Sequence, residues 1–163
     1  MQAPGTWGSL VSAATNKIAL ITGTGILNIT GTQPPYDAWA LAAGLDNSTL
    51  AKDPTPTADP DHDGVSNLME YATKMNGTIN DTVPASATKT ATGIDFVYTA
   101  NKSATDVTYI IEWSDTLNGT DWSTTGVSAP TVISDNGVTR QVKVTVPADS
   151  GVTRRFVRLK VTR

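Results

Sequence analysis

Hydrophobic and polar positions alternate through the C-terminal half of the chain. Ile94, Phe96 and Tyr98 share one face of a strand, as do Val107, Tyr109, Ile111 and Trp113, and Val142, Val144 and Val146. Near the end Val157, Leu159 and Val161 alternate with Arg158 and Lys160, the in/out pattern of an antiparallel sheet with one wet face. Asn136-Gly137, between Val132-Ile133 and Val138, predicts a hairpin with a type I′ turn. Five or six such strands make residues 87–163 a small antiparallel β-sandwich.

Upstream the period changes. Tyr36, Trp39, Ala40 and Ala43 recur at spacings of three and four, which predicts a helix over residues 36–43 stopped by Gly44. Pro54, Pro56 and Pro60 keep residues 45–60 irregular. A second apolar stripe, Val65, Leu68, Met69, Ala72 and Met75, predicts a helix over residues 66–76 that ends at Gly77. Residues 79–86 read as a linker. At the N-terminus, residues 17–22 and 25–30 read as a β-hairpin joined by Thr-Gly repeats, with Ile18, Leu20 and Ile26 on one face and Ile21, Leu27 and Ile29 on the other. A ribbon apolar on both faces is marginal alone, so it has to pack on the rest of the chain or add to a sheet edge of another copy. The expected divisions are an N-terminal β-ribbon (1–33), a helical segment (34–78), a linker (79–86) and the sandwich (87–163).

Composition agrees with a mainly β fold. Threonine occurs 27 times, aspartate 13 times and glutamate twice, which suits half-exposed strands and turns better than helices. Without cysteine there are no disulfides and no thiolate metal site. No run of 18 apolar residues predicts a membrane span. The first residues lack a basic stretch followed by an apolar one, so no signal peptide is legible, and the chain reads as a mature piece of a secreted protein. Six Asn-x-Ser/Thr triplets, at Asn28, Asn47, Asn76, Asn80, Asn101 and Asn118, are what a chain rich in Asn and Thr generates by chance.

The most specific chemistry lies in residues 59–70, Asp-Pro-Asp-His-Asp-Gly-Val-Ser-Asn-Leu-Met-Glu. A hard divalent cation takes six to eight oxygens, and a twelve-residue calcium loop supplies them from positions one, three, five, seven, nine and twelve. Those positions are Asp59, Asp61, Asp63, the Val65 carbonyl, Asn67 and Glu70, with Gly64 at the turn position. An acidic turn capping the following helix through Asp63 or Ser66 is the plainer reading. It accounts for one acid, not for three at alternate positions ahead of the glycine and the distal glutamate. Asp46 and Asp53 lie on the preceding loop and are read as solvated. The expected fold is thus mainly β: a small antiparallel β-sandwich preceded by a β-hairpin and a two-helix segment carrying one EF-hand-like calcium loop.

Tyr36-Asp37-Ala38-Trp39, the Asp59–Glu70 loop with Tyr71-Ala72, Glu112-Trp113-Ser114-Asp115 ahead of Asp121-Trp122, and Arg154-Arg155-Phe156-Val157-Arg158-Leu159 occur in that order. In this order they resemble the C-terminal calcium-loop and β-sandwich module of large secreted autotransporter-repeat-like proteins from Verrucomicrobia and related bacteria. Gly5-Thr6-Trp7-Gly8-Ser9 and residues 21–27 resemble the end of the repetitive β passenger that precedes that module. The loop is also similar to those of dockerins and thrombospondin type 3 repeats, although a dockerin has two. The resemblance implies secretion and a cell-surface or matrix setting, without an enzymatic activity or a known ligand.

Catalysis is not expected. The single histidine, His62, sits at position four of the loop, which supplies no ligand, and no cysteine offers a nucleophile. The basic residues Arg140, Lys143, Arg154, Arg155, Arg158, Lys160 and Arg163 cluster late in the chain, but the chain is acidic overall, and cations on a strand's wet face are ordinary edge protection, so no nucleic-acid partner is expected. Two functions remain. One is a calcium-stabilised extracellular structural module that caps or links a larger surface or matrix assembly, self-associating through residues 17–30. The alternative is a carbohydrate-binding adhesion module in which Trp7, Trp113 or Trp122 stacks on a polysaccharide.

Overall fold

The computed structural model describes residues 33–148 and 151–163; the expected N-terminal ribbon, including residues 17–30 and Trp7, lies outside them. Two helices come first, α1 (Pro35–Ala42) and α2 (Asn67–Thr73), followed by six strands: β1 (Ala85–Lys89), β2 (Gly93–Asn101), β3 (Thr108–Ser114), β4 (Thr131–Asp135), β5 (Thr139–Pro147) and β6 (Phe156–Thr162). The strands form two antiparallel sheets, one of four strands in the order β1-β2-β5-β4 and one of two, β3-β6. The fold is mainly β and sandwich-like.

The alternation seen in the sequence decides which residues lie between the sheets. Phe96, Tyr98 and Ala100 of β2 and Val142, Val144 and Val146 of β5 are buried against Ile111, with Tyr109, Trp113, Val157 and Leu159 packed around them. The outward positions pair across strands. Asp95 on β2 accepts from Thr145 Oγ1 (2.8 Å) and Lys143 Nζ (3.2 Å) on β5, while Arg158 Nη2 reaches Glu112 Oε2 at 2.7 Å between β6 and β3. Most of the basic residues counted late in the sequence are therefore spent within the fold: Arg155 pairs with Asp115, Lys160 with Glu112, and Arg163 with Asp37 and Asp106.

A second core lies under the helices, where Tyr36, Ala40, Leu45, Tyr71 and Ala104 are buried with Trp39, Ala43, Leu68 and Val107 around them. The Tyr36 and Tyr71 rings meet edge to face at 5.3 Å, an arrangement that puts the positive edge of one on the negative face of the other. Polar contacts fasten this core to the strands. Tyr71 Oη donates to Asp106 Oδ1 (2.6 Å), Tyr109 Oη donates to the Ala72 carbonyl (2.7 Å), and the buried Asn101 amide donates to the Tyr71 carbonyl (2.8 Å). Burial and the Asp106 hydrogen bond push the Tyr71 hydroxyl well above its ordinary range, so it remains a donor.

Several elements depart from the sequence reading. The second helix stops at Thr73 rather than near residue 76, because Lys74 takes a left-handed conformation (φ 65°) and Met75 N–H closes on the Glu70 carbonyl at 2.8 Å. Its buried residues are Asn67, Glu70, Tyr71, Ala72 and Thr73, so the buried side is wider and more polar than the apolar stripe, of which Ala72 and, beyond the helix, Met75 are buried while Val65, Leu68 and Met69 are half-buried. Residues 85–86, assigned to the linker, already belong to β1, whose residues are all exposed and so carry no alternation to detect. Val107 precedes β3 and packs in the helical core instead. The Asn136-Gly137 hairpin forms, but its turn is not type I′: only Gly137 has a positive φ (89°), β5 resumes at Thr139, and Asn136 acts through its side chain, accepting from Val138 and Thr139 N–H.

Tyr71→Phe removes a hydroxyl that donates to a carboxylate, so a loss of about 1.5–3 kcal/mol is expected. Urea unfolding should show it as a lower midpoint at unchanged slope.

Candidate metal centre

Residues 59–65 are shaped by two left-handed residues, His62 (φ 63°) and Gly64 (φ 88°), on either side of Asp63. Gly64 has open space around it, so glycine serves there for its backbone freedom rather than for room. The turns point main-chain donors inward. Asp59 Oδ1 and Oδ2 accept from Asp63 N–H (3.2 Å) and Gly64 N–H (3.0 Å), and Asp63 Oδ1 accepts from Val65 N–H (2.7 Å). Oxygens of Asp59, Asp61 and Asp63 thereby lie within 4.8 Å of one another.

Helix α2 brings Glu70 to the same place. Its first N–H groups are satisfied by main chain rather than by a side-chain cap: Asn67 N–H donates to the Ala58 carbonyl (2.9 Å) and Leu68 N–H to the Pro56 carbonyl (3.0 Å). The Asn67 amide donates to the Asp53 and Thr55 carbonyls at 2.8 and 2.9 Å, fixing the preceding loop against the helix. One turn on, Glu70 is 0% exposed, and neither of its carboxylate oxygens has a hydrogen-bond partner. Such a carboxylate is costly, since burial strips its hydration and nothing replaces it.

A residue absent from the loop template joins it. Oxygens of Asp63, Glu70 and Asp81 form a second group within 4.8 Å, and Asp81 N–H donates to Asp63 Oδ2 at 3.0 Å. Burial, followed by the charges of Asp61, Asp63, Asp81 and Asp59, pushes the Glu70 carboxyl up to about 8. Asp61 and Asp81 are also raised, by burial first and then by the charge of Asp63. All-oxygen donors of this kind suit a hard cation.

Of the six residues expected to bind metal, the structure gathers the carboxylates of Asp59, Asp61, Asp63 and Glu70 into these two overlapping groups. The Val65 N–H donates to Asp63, and both N–H donors of the Asn67 amide reach the Asp53 and Thr55 carbonyls, leaving its Oδ1 buried without a partner. Asp46 and Asp53 belong to neither group: Asp46 is occupied by Ser48 and Lys52, and Asp53 Oδ1 accepts from Thr55 N–H. His62 is exposed. Asp81 went unrecognised because no loop template reaches it; the Asn76-Gly77 turn just after the helix was the local sign that the chain doubles back.

Of the tryptophans weighed as sugar platforms, the two among the described residues, Trp113 and Trp122, are engaged within the fold. Arg155 covers a face of Trp113 with its guanidinium carbon 3.8 Å from the ring centroid, and Trp113 Nε1 donates to the Thr125 carbonyl at 2.9 Å. Arg158 lies over Trp122 at 3.9 Å.

Comparisons with protein-family models, with curated proteins and with solved structures find no match to this chain.

The raised Glu70 carboxyl sets a pH dependence for the metal-free protein. A carboxyl favoured in its neutral form by folding contributes most below its ordinary value of 4.5, and that contribution is lost as pH rises toward about 8. The melting temperature in EDTA is expected to fall across that window, and Glu70→Gln should flatten the fall. The carboxylates held below their ordinary 3.8, Asp46, Asp95, Asp115 and Asp135, act at lower pH and with the opposite sign.

Proposed function

We propose that this chain is a calcium-stabilised extracellular structural module, one that caps or links a larger surface or matrix assembly. The observation that carries the calcium reading is Glu70, fully buried with both oxygens unpartnered beside a cluster of aspartates. A cation of charge two placed among these oxygens replaces the missing hydration of Glu70 and cancels repulsion among its neighbours. Calcium fits better than magnesium, because it accepts six to eight oxygens in irregular geometry and sheds water more readily. Loops of this type are filled outside cells, where calcium is millimolar.

A structural role is favoured over catalysis because the acidic cluster is suited to holding a cation, and the lone histidine is exposed and set on a strained backbone. It is favoured over sugar binding because arginines lie over Trp113 and Trp122. Self-association through residues 17–30 by strand addition is the proposed route of assembly: β1 and β4 flank the four-stranded sheet, each wholly exposed, as edges on which an added strand could pair.

With a dissociation constant of roughly 0.1–1 mM, typical of weaker extracellular sites, ~1 mM calcium stabilises the fold by about 0.4–1.4 kcal/mol. Asp61→Ala and Glu70→Gln should each abolish that increment, read as the difference in melting temperature between calcium and EDTA. A wild-type melting temperature indifferent to calcium, in protein stripped of metal, would overturn the calcium reading.

A further inference from the structure

We propose that Asp81 joins the cation's oxygen shell, so that the ion ties the segment 76–84 and the edge strand it feeds to the acidic loop. This rests on the calcium reading above and assigns a ligand that the twelve-residue template does not contain. With calcium–oxygen distances of 2.3–2.6 Å, two oxygens on one ion lie at most about 5 Å apart. The Asp63, Glu70 and Asp81 oxygens meet that limit. Glu70 supplies the independent sign of a ligand, a fully buried carboxylate aimed into this group with no partner for either oxygen.

The Asn67 side chain is fixed beside the cluster. Both donors of its amide reach main-chain carbonyls at residues 53 and 55, and its Oδ1, buried without a hydrogen-bond partner, lies next to Gly77, where an added Cβ would stand 3.1 Å from it. The same Cβ would come within 3.0 Å of Leu45 and Trp39. Glycine therefore lets the chain pass close over the Asn67 side chain on its way back to the loop. Lys74 reverses the chain at the end of α2, Thr78 and Ile79 N–H close a turn on the Asn76 carbonyl, and Asp81 arrives with its N–H on Asp63 Oδ2. A carboxylate from outside the loop thereby joins the cluster.

The mechanical consequence follows from charge. Without a cation, Asp81 is held beside Asp63 and Glu70 against like-charge repulsion, and a single N–H bond to Asp63 is its attachment to the loop. With one, the carboxylate becomes a strong attachment. Three residues later Pro84 accepts from Thr99 N–H at 3.0 Å and β1 begins, paired among the described residues with β2 alone. Calcium thus fixes the helical segment and the exposed edge of the four-stranded sheet to each other.

The test uses the full chain, calcium titration by calorimetry and hydrogen exchange read by mass spectrometry over residues 59–65 and 76–89, each with calcium and with EDTA. In the wild type, calcium should bind at one site and slow exchange over both 59–65 and 77–84. Asp81→Asn should weaken calcium on the order of tenfold, since ligand charge sets affinity in such loops. At saturating calcium it should lose the protection of 77–84 while residues 59–65 still gain theirs. In EDTA the same variant should be no less stable than wild type, because it removes a like charge; a merely structural Asp81 would show a loss there. Wild-type affinity in Asp81→Asn with 77–84 still protected would overturn the assignment, as would an Asn67→Ala variant that loses affinity while Asp81→Asn keeps it. A wild type that binds no calcium overturns the underlying reading as well, and the first titration separates that result from the others.

Discussion

Everything around the acidic loop is arranged about one carboxylate that the protein does not itself satisfy. Glu70 sits on the buried side of a seven-residue helix, between Asn67 and Tyr71, with four aspartates as the charges that act on it most. No hydrogen bond relieves either oxygen. A group in that state is tolerated only where its charge is removed by a proton or answered by a cation. The rest of the loop matches that requirement: main-chain N–H groups of residues 63–65 orient the aspartates before any ion arrives, lowering the ordering that binding has to impose.

The helix that carries Glu70 is too short to stand alone, and its position is set by tertiary bonds at both faces. On one side Tyr71, Ala72 and their partners Asp106, Tyr109 and Asn101 fix it to the strands. On the other, the Asn67 amide and the Pro56 and Ala58 carbonyls hold the loop that precedes it. The acidic cluster therefore lies where helical core and sandwich meet, so the proposed ion would stabilise their junction rather than an isolated loop. Arg163, at the far end of β6, reaches back to Asp37 and Asp106 and lies over the Tyr36 ring, closing the same junction from the last residue of the chain.

Charge distribution separates this junction from the sandwich. On the outer faces of the sheets, carboxylates have cationic partners: Asp95 with Lys143, Glu112 with Arg158 and Lys160, Asp115 with Arg155, Asp135 with Lys102. The more exposed of these pairs, Lys102–Asp135 and Lys143–Asp95, contribute little each, whereas Arg155 and Glu112 are largely buried; together the pairs leave few cations for other work. Among the described residues, the aspartates of the loop are given no such partner. Carboxylates gathered without a cationic partner around the buried Glu70 mark a place where an external cation has much to offer.

The sequence alone determined the sandwich strands with inward alternation, because period-two burial is written directly in residues such as Phe96, Tyr98, Val142 and Val144. It also singled out the carboxylates at positions 59, 61, 63 and 70, which the fold gathers, since the proposed loop is local and ligands of such a loop keep a fixed spacing. What lacked a local pattern had to come from tertiary structure. The exposed strand β1 has no alternation, and the true buried side of α2 is polar at Asn67, Glu70 and Thr73, which periodicity of apolar residues misses. The type of hairpin turn at Asn136 was settled by a side-chain hydrogen bond rather than by the dipeptide. Asp81 belongs to the same class. Its place beside Glu70 depends on a left-handed Lys74 and a close passage at Gly77, and a long-range approach of that kind leaves no spacing in the chain to read.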